Sequence, residues 1–275
     1  MSDYVISAKT SLCLLLGDPV AHSLSPTMHN AAYKATNLDF AMVASRVKAE
    51  NLKEAIAGIR ALSIKGLAVT MPHKVSIIPL LNKIDPTASD IGAVNTVINV
   101  DGQLIGHNTD WLGILKPLKR RIDLSGTSAT VLGAGGAAQA AVYALTKLGA
   151  RVTVLNRTAD KAKALATKFG ADFGELSPQV DTTRYKVIIN TTPLGMPDNL
   201  DASPLLPSQL ASHQIIFETI YSPRETRFLK LARQAGCQVV EGLEMFLEQG
   251  AAQFKIHTGT DAPREIMFGS LASLI

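Results

Sequence analysis

The chain has 275 residues, of which 47% are hydrophobic, and its 27 Lys and Arg against 23 Asp and Glu give a net charge of +4. At about 150 residues per domain, this length suits one large domain or two ordinary ones. The hydrophobic content supports a packed core and excludes a disordered protein. The short basic run of Lys116, Lys119, Arg120 and Arg121 is interpreted as a solvated helix end, so no nucleic-acid partner is expected.

No apolar stretch approaches the roughly 18 residues that a membrane-spanning helix needs. The apolar run from Leu12 to Leu16 is too short for the core of a signal peptide and is interpreted as a first strand. Cys13 and Cys237 lie far apart without ligand spacing, which predicts buried structural thiols. We therefore expect a cytoplasmic chain with no membrane contact.

Strand and helix patterns alternate almost throughout the chain, which predicts a mostly parallel sheet covered by helices. Ser25 and Pro26 are typical of a helix N-cap and the first helical position. Asp101-Gly102 between two β-like runs predicts a hairpin. The predicted strands are 12–17, 40–47, 66–70, 96–100 and 103–106, and the predicted helices are 26–36, 49–62, a segment around 77–84, and 110–121.

A second α/β block runs from about residue 123 to 241, with strands at 130–132, 151–155, 186–190, 215–217 and 238–240 and a helix at 137–148. Two helices, 243–257 and 263–274, close the chain. The predicted fold class is α/β, with two three-layer αβα domains and a cleft between them. The predicted domains are residues 1–110 with 243–275, and residues 111–242.

The most informative motif is the glycine-rich run Gly133-Ala134-Gly135-Gly136-Ala137, between a predicted strand and a helix. Glycines here let the backbone turn and approach a pyrophosphate, whose charge is stabilised by the helix N-terminus. The second strand ends in Asn156-Arg157-Thr158, with no carboxylate for a ribose hydroxyl until Asp160. A guanidinium there suits a 2′-phosphate, so the sequence predicts NADP. The simpler alternative is a Gly-rich turn in an ordinary α/β domain.

Polar residues also cluster at four predicted strand ends of the first block. The segment His22-Ser23-Leu24-Ser25-Pro26 places two hydroxyls before a helix N-terminus, which suits a small carboxylate. The simpler alternative is that Ser25 only caps the helix. The other three clusters contain Thr70 with Lys74, Asn95, and Asn108-Thr109-Asp110. His22, His29, His73 and His107 lack ligand spacing and are interpreted as surface or supporting polar groups.

These motifs, in this order and over essentially the whole length, resemble the shikimate/quinate dehydrogenase family. The resemblance implies NADP-dependent, reversible reduction of 3-dehydroshikimate to shikimate by hydride transfer, within chorismate and aromatic amino acid biosynthesis. The motifs that carry it are Gly17-Asp18-Pro19, Ser23 to Asn30, Val69 to Lys74, Gly92 to Thr96, Asn108-Thr109-Asp110, the glycine-rich run, Asn156-Arg157-Thr158, Asn190 to Met196, Tyr221-Ser222-Pro223, and Gly242 to Gln249.

The resemblance also implies that residues 1–110 with 243–275 form a substrate-binding and catalytic domain, and residues 111–242 a Rossmann-like NADP-binding domain. It further implies roles for individual residues. Lys74 and Asp110 would form the catalytic pair. The substrate carboxylate would be held by Ser23 and Ser25 with Tyr221 nearby, and the ring hydroxyls by Thr70, Asn95, Asp110 and Gln249. The cofactor phosphates would be held by Gly133, Ala134, Gly135, Gly136, Ala137, Asn156, Arg157, Thr158 and Lys161, and the nicotinamide side would be lined by Thr219 and Gly242. Hydride transfer needs no metal, so none is expected.

Two positions depart from the family pattern. Ala68 stands where Asn or Ser is often found, and alanine cannot hydrogen-bond a substrate hydroxyl. Glu218 stands at a strand end where Asp is common. A quinate or dual quinate/shikimate dehydrogenase therefore stays open as an alternative. A catalytically inactive NADP-binding regulatory homologue is a further alternative, which the presence of both Lys74 and Asp110 opposes. Both a monomer and a homodimer fit the sequence.

Overall fold

The computed structural model describes residues 5–271 and 274, and the chain divides into two compact units. Unit 1 contains the chain up to Thr109 and again from Gln249, whereas unit 2 contains Asp110–Glu248. The sequence prediction placed these divisions after residues 110 and 242. The second division falls inside one continuous helix, Gly242–Thr258, so neither a loop nor a change of composition marks it in the sequence.

Unit 1 contains a six-stranded sheet in the order β2-β1-β3-β5-β6-β4. Its elements are β1 (Ser11–Gly17), α1 (Ser25–Ala35), β2 (Phe40–Arg46), α2 (Leu52–Ala61), β3 (Gly66–Val69), α3 (His73–Ser76), β4 (Lys83–Ile84), α4 (Pro86–Ile91), β5 (Thr96–Val100) and β6 (Gln103–His107). The sheet is mostly parallel, as predicted, and the exception is β5, which is antiparallel to both β3 and β6. Asp101 and Gly102, with φ of 49° and 83°, form the predicted tight turn that reverses the chain.

Helices cover both faces of the unit 1 sheet, because successive residues of a strand point to opposite sides. On one side, Leu67 and Val69 of β3 belong to the same hydrophobic cluster as the buried residues of α2. On the other side, Gly66 contacts a helix of the C-terminal part, since a Cβ built at Gly66 would lie 2.7 Å from the His257 ring. Unit 1 therefore has three layers, as predicted.

Unit 2 contains a parallel sheet in the order β12-β11-β10-β7-β8-β9. Counted within the unit, this is the strand order of Rossmann folds, and the direction of winding changes between β7 and β10. Its elements are α5 (Asp110–Lys119), β7 (Ser128–Leu132), α6 (Gly136–Lys147), β8 (Arg151–Asn156), α7 (Ala159–Phe169), β9 (Asp172–Glu175), β10 (Val187–Asn190), β11 (Ile215–Glu218), α8 (Arg227–Gln234) and β12 (Gln238–Val240). The helices α9 (Gly242–Thr258) and α10 (Arg264–Gly269) complete the chain.

Unit 2 also has three layers. Ile189 and Phe217 pack in one hydrophobic cluster with buried residues of α5, α6 and α7. Their chain neighbours Ile188 and Ile216 pack in a second cluster with buried residues of α8. Because the strands of this sheet are covered on both faces, they are runs of apolar residues rather than alternating ones.

Two helix predictions are wrong in part. The segment around 77–84 follows the end of α3 and holds a 3-10 turn (Ile78–Leu80) and β4. Pro79 has no N–H to donate, which disfavours a continuous α-helix, and Lys83 and Ile84 pair with β6 instead. The helix predicted over 263–274 is observed as α10 (Arg264–Gly269), and residues 272 and 273 lie outside the described part.

The basic run of α5 is engaged by carboxylates rather than simply solvated. Lys116 and Arg120 contact Glu248 of α9, with N–O distances of 3.2 and 2.8 Å, and Arg121 contacts Glu244 at 2.7 Å. The interpretation as a solvated helix end is therefore incomplete, because Lys116 and Arg121 are half-buried in ion pairs, whereas Arg120 is paired and exposed. The sequence could not show the pairing because α5 and α9 are more than 120 residues apart.

Both cysteines are free and buried, which confirms the sequence prediction. Burial raises the pKa of the Cys13 thiol to about 11. Within the described residues, none of the helices combines the length and the apolar character that crossing a membrane requires.

Candidate active site

The loops that follow β1 and β3 lie together at one edge of the unit 1 sheet. Gly17 makes this possible, because a Cβ at that position would collide with the Thr70 side chain. The Asp18 N–H donates to the Met71 carbonyl at 2.9 Å, which joins the two loops directly. The residues predicted after these strands are therefore carried on loops that meet.

Ser23 and Ser25 form a hydroxyl pair at the start of α1. The Ser23 Oγ lies 3.3 Å from the Ser25 Oγ and accepts from the Ser25 N–H at 3.3 Å. The prediction of Ser25 as N-cap is wrong: Leu24 has helical φ and ψ and occupies the cap position without a side-chain hydrogen bond, so Ser25 is already the first helical residue. Capping therefore does not explain the buried Ser25 hydroxyl, and the pair remains a candidate for binding a carboxylate.

Thr70 and Lys74 lie after β3, within the same loop and short helix. Val69, directly before Thr70, donates its N–H to the Asn95 carbonyl at 2.7 Å. The half-buried Lys74 lies in α3, and its carbonyl accepts from the Val94 N–H at 2.7 Å. These backbone bonds hold the β3 loop against the segment that leads into β5, so Thr70, Lys74 and Asn95 share one edge of the sheet.

Asn95 is buried at the centre of a hydrogen-bond network in unit 1. Its Oδ1 accepts from the Thr109 N–H at 2.7 Å and the Thr96 hydroxyl at 2.8 Å, and its Nδ2 donates to Thr109 Oγ1 at 2.9 Å. The Gln249 Oε1 lies 3.5 Å from Asn95 Nδ2. Gln253, one helical turn further along α9, donates to Thr96 Oγ1 at 2.9 Å and to the Asn95 carbonyl at 3.1 Å.

The structure thus brings together Asn95 and Gln249, which are 154 residues apart in the chain. Sequence reasoning missed Gln253, which holds Asn95 and Thr96 in place. Its spacing of four residues from Gln249 puts both amides on one face of a helix, and that spacing is a signal that could have found it.

Asp110 is the first residue of α5 and is 3% exposed. It follows directly after Thr109, whose backbone and side chain are held by Asn95. Lys74 belongs to unit 1 and Asp110 to unit 2, so the pairing of these two residues stays a prediction.

The glycine-rich run of unit 2 forms a tight turn between β7 and α6. Gly133 has φ +113°, and a Cβ there would lie 2.6 Å from the Thr191 hydroxyl of the loop after β10. Gly135 is the N-cap of α6, is exposed and has no side-chain cap, so the helix N-terminus is uncovered. This geometry at the switch point of a Rossmann sheet suits a pyrophosphate. The other members of the run, Ala134, Gly136 and Ala137, are half-buried.

Arg157 follows the end of β8 and is exposed. In the part of the chain that the structure describes, no hydrogen bond or ion pair engages its guanidinium. Asn156 shapes the turn by donating from Nδ2 to the Thr158 carbonyl at 3.0 Å. Lys161, in the first turn of α7, is also exposed. The end of β8 therefore offers two solvent-facing cations, which suits a phosphate.

Thr219 and Tyr221 lie in the loop after β11, and this loop packs on the start of α9. A Cβ at Gly242 would collide with the Ile220 carbonyl, so the close approach of the two backbones requires glycine. The Tyr221 ring stacks on Phe246, with centroids 4.1 Å apart. Packing alone thus explains why residue 242 is glycine, and a role of Gly242 in binding a cofactor stays a prediction.

The histidines were interpreted as surface or supporting groups, and the surface alternative is wrong for two of them: His73, whose Nε2 lies 2.6 Å from the Val47 carbonyl, is buried, and so is His29. This ring is fully buried, 6.3 Å from the Phe254 ring and 6.5 Å from the His257 ring, measured between centroids. Burial lowers the pKa of His29 to about 3 and that of His257 to about 4. No group of three or more His, Cys, Asp or Glu side chains that could hold a metal occurs among residues 5–271.

Fold and site together define the class of the protein. One unit has the Rossmann strand order with an uncovered helix N-terminus after its first strand, and the other gathers hydroxyl, amide and ammonium groups at a sheet edge. These are the parts of a two-domain oxidoreductase that uses a dinucleotide.

Comparison with known proteins specifies this class further. Three family models match the chain: "Shikimate dehydrogenase substrate binding domain" over residues 15–97, "Shikimate / quinate 5-dehydrogenase" over 117–192, and "Shikimate 5'-dehydrogenase C-terminal domain" over 242–267. The chain is 43% identical over 273 residues to the NADP(+) shikimate dehydrogenase of Moorella thermoacetica, covering 95% of this chain and 92% of that relative. The chain therefore belongs to the shikimate dehydrogenase family.

Solved structures agree with this assignment. The shikimate dehydrogenase of Aquifex aeolicus is 41% identical, with a TM-score of 0.92 over 98% of this chain and 100% of the other. The shikimate 5-dehydrogenase of Thermus thermophilus, in complex with NADP(H) and shikimate, is 36% identical, with a TM-score of 0.89 over 97% and 100% of the two chains. The predicted α/β fold with a Rossmann-like unit is confirmed.

Proposed function

We propose that the chain is an NADP-dependent shikimate dehydrogenase, an oxidoreductase that reversibly converts 3-dehydroshikimate to shikimate in aromatic amino acid biosynthesis. The observation that carries this proposal is the unit 1 network around Asn95, which presents amide and hydroxyl groups beside the loop of Lys74. A polyhydroxylated ring acid is a substrate that such groups recognise. Relatives that bear this activity in their names match nearly the whole chain.

The residues of unit 2 fit NADP. The uncovered N-terminus of α6 would bind the pyrophosphate, with Gly133 and Gly135 allowing close backbone approach. Arg157, with Lys161 and the turn of Asn156 and Thr158, would bind the 2′-phosphate. NADPH, when bound, supplies the hydride.

The residues of unit 1 fit the ring acid. We assign the carboxylate to the Ser23 and Ser25 hydroxyls, with Tyr221 contributing from the loop after β11. The ring hydroxyls are assigned to Thr70, Asn95 and Gln249. Asn95 suits this role because its own amide is held by Thr109 and Thr96, which leaves its geometry fixed before the substrate arrives.

We assign the proton transfer of the reaction to the pair of Lys74 and Asp110. Reduction of a ketone leaves negative charge on oxygen, which the Lys74 ammonium stabilises and protonates. Asp110 is assigned the role of orienting Lys74. In the oxidative direction the same Lys74 amine must accept the proton of the substrate hydroxyl.

The test is the initial rate of NADP reduction with shikimate, measured beside quinate and beside NAD. A rate confined to shikimate with NADP supports the proposal and the role of Arg157. Strong use of NAD would contradict the assignment of Arg157 to a 2′-phosphate. No turnover with any pair would overturn the activity and leave the inactive NADP-binding homologue.

A quinate or dual quinate/shikimate dehydrogenase is a second candidate, favoured by Ala68. This residue is buried in β3, opposite Thr96, and offers no polar atom on its side chain. A substrate hydroxyl facing Ala68 would lack a partner, which loosens the discrimination between ring acids. Quinate turnover comparable to that of shikimate would establish this candidate.

We further propose a cytoplasmic monomer or homodimer. The free and buried thiols of Cys13 and Cys237 suit a reducing compartment. The partner we expect is the small-molecule substrate. Light scattering after size-exclusion chromatography distinguishes the monomer from the homodimer.

A further inference from the structure

Glu218, at the carboxyl end of β11, is fully buried and saturated with hydrogen bonds. Its Oε1 accepts from the N–H groups of Thr219 (2.8 Å) and Ile220 (3.1 Å), and its Oε2 accepts from the Thr226 hydroxyl (3.0 Å). The Asn190 amide lies 3.0 and 3.1 Å from the two oxygens. All of these donors are uncharged, and burial raises the pKa of Glu218 to about 7 despite them.

These bonds join three elements through one carboxyl group. Asn190 ends β10, Thr219 and Ile220 begin the loop after β11, and Thr226 is the N-cap of α8, where its Oγ1 accepts from the Leu229 N–H. The loop over residues 219–226 is therefore fixed at both of its ends by Glu218. A carboxyl group whose described donors are all uncharged is costly to bury and depends on every one of these partners.

The same network extends to the glycine-rich turn. Asn190 Oδ1 accepts from the Thr192 N–H at 3.0 Å and from its hydroxyl at 2.7 Å, which shapes the loop after β10. The neighbouring Thr191 lies against Gly133 and donates its hydroxyl to the Leu132 carbonyl at 2.7 Å. Hydrogen bonds and close packing therefore connect the carboxyl ends of β7, β10 and β11, where a Rossmann sheet binds its ligand.

We propose that Glu218 is a positioning residue of the site: it sets the loop that carries Thr219 and Tyr221 without touching either ligand. This inference rests on the proposed function, in which Thr219 lines the nicotinamide side and Tyr221 contributes to binding the substrate carboxylate. A shift of about 1 Å in such groups can cost up to 100-fold in rate. The Glu218 side chain is one methylene longer than that of Asp, and in this proposal its length helps to set the position of the loop.

The same strand offers a matched control at its other end. Gln214, directly before β11, is 1% exposed and makes three side-chain hydrogen bonds, with the Ala211 N–H and the carbonyls of Thr182 and Tyr185. Gln214→Ala removes a buried hydrogen-bonding side chain from the amino end of β11, away from the candidate site. Glu218→Ala removes one from the carboxyl end.

The experiment compares Glu218→Ala, Glu218→Gln and Gln214→Ala with the wild-type chain. The readouts are the Kd of NADPH by fluorescence, kcat and KM with shikimate, and the rate of trypsin cleavage after the exposed Arg224 of the loop. Glu218→Ala should lower kcat/KM about 10- to 100-fold and accelerate cleavage at Arg224. Glu218→Gln keeps one acceptor oxygen for the two N–H groups and should recover most of the loss.

Gln214→Ala should lower the thermal midpoint while leaving the kinetic constants, the NADPH affinity and the Arg224 cleavage close to wild type. Kinetic constants of Glu218→Ala and Glu218→Gln equal to those of Gln214→Ala would overturn the positioning role. If Glu218→Ala does not fold, Thr226→Val, which removes one bond between Glu218 and the loop, takes its place: lower kcat/KM and faster Arg224 cleavage than in Gln214→Ala support the role, and equal values overturn it. A wild-type chain without turnover would overturn the proposed function instead, and the cleavage at Arg224 would then decide by itself whether Glu218 fixes the loop.

Discussion

The two units form their candidate sites in opposite ways. In unit 2 the backbone makes the site, because the turn at Gly133 and the uncovered N-terminus of α6 present N–H groups directly. In unit 1 side chains make it, because Asn95 is held by Thr109 and by amides of α9. A backbone site occupies a few consecutive residues, whereas a side-chain site collects residues from distant parts of the chain. Substitutions should therefore affect the two units differently.

The largest effect is expected in unit 1 at Lys74. Lys74→Met should lower kcat by about 100- to 10,000-fold, the usual contribution of a general acid. The Kd of NADPH, measured by fluorescence titration, should stay within twofold, because the assigned cofactor residues all belong to unit 2. An unchanged kcat would contradict the assignment of Lys74 as the general acid.

The next effect is expected in unit 2 at Arg157. Arg157→Gln should raise the KM for NADPH about 10- to 100-fold, since a hydrogen bond to a charged group contributes about 1.5–3 kcal/mol. The constants with NADH should be unchanged, because NADH lacks the 2′-phosphate. Lys163→Gln, which changes another cation of α7, is the control. An equal loss with both coenzymes would mean that Arg157 supports the fold rather than the phosphate.

A smaller effect is expected at Gln253, whose amide supports Asn95. Gln253→Ala should reduce the free energy of unfolding by about 1–3 kcal/mol, because it leaves the buried Thr96 hydroxyl and Asn95 carbonyl without this donor. The KM for shikimate should rise while the Kd of NADPH stays constant. Denaturant unfolding and steady-state kinetics measure both, and an unchanged KM would limit Gln253 to a structural role.

The smallest effect concerns acid stability in unit 1. His29 is buried as the neutral ring, and its folded pKa of about 3 lies below the value of 6.5 for an exposed histidine. Below pH 6.5 the unfolded chain binds a proton that the folded chain does not, so stability falls as the pH falls toward 3. The loss from His29 should reach about 1.4 kcal/mol at pH 5.5.

Between pH 7.5 and pH 5.5, the free energy of unfolding of His29→Phe should therefore fall by about 1.4 kcal/mol less than that of the wild-type chain. Urea unfolding at the two pH values measures this difference. His22→Gln, at an exposed position of the same unit, is the control and should show the same fall as the wild-type chain. A fall in His29→Phe identical to that of wild type would contradict the assignment.

The comparison of units also explains which elements sequence patterns predicted. The glycine-rich turn, the Asp101-Gly102 hairpin and the parallel Rossmann strands are local features, and the structure confirms them. The helix predicted around 77–84 was wrong because Pro79 and the pairing of Lys83 and Ile84 with β6 override the apolar pattern of this segment. The predicted N-cap position was wrong by one residue: Leu24, which already has helical φ and ψ, is the N-cap instead of Ser25.

The sequence alone determined the fold class, the family and the chemical types at the strand ends, because these depend on short motifs and on apolar periodicity. Only the tertiary structure decided that Gln253 holds Asn95, that Glu248 engages Lys116 and Arg120, and that Glu218 joins three elements. These contacts connect residues brought together by packing, and side chains far apart in the chain leave no periodic signal. The hydrogen bonds of a buried amide or carboxylate are thus a property of the folded chain.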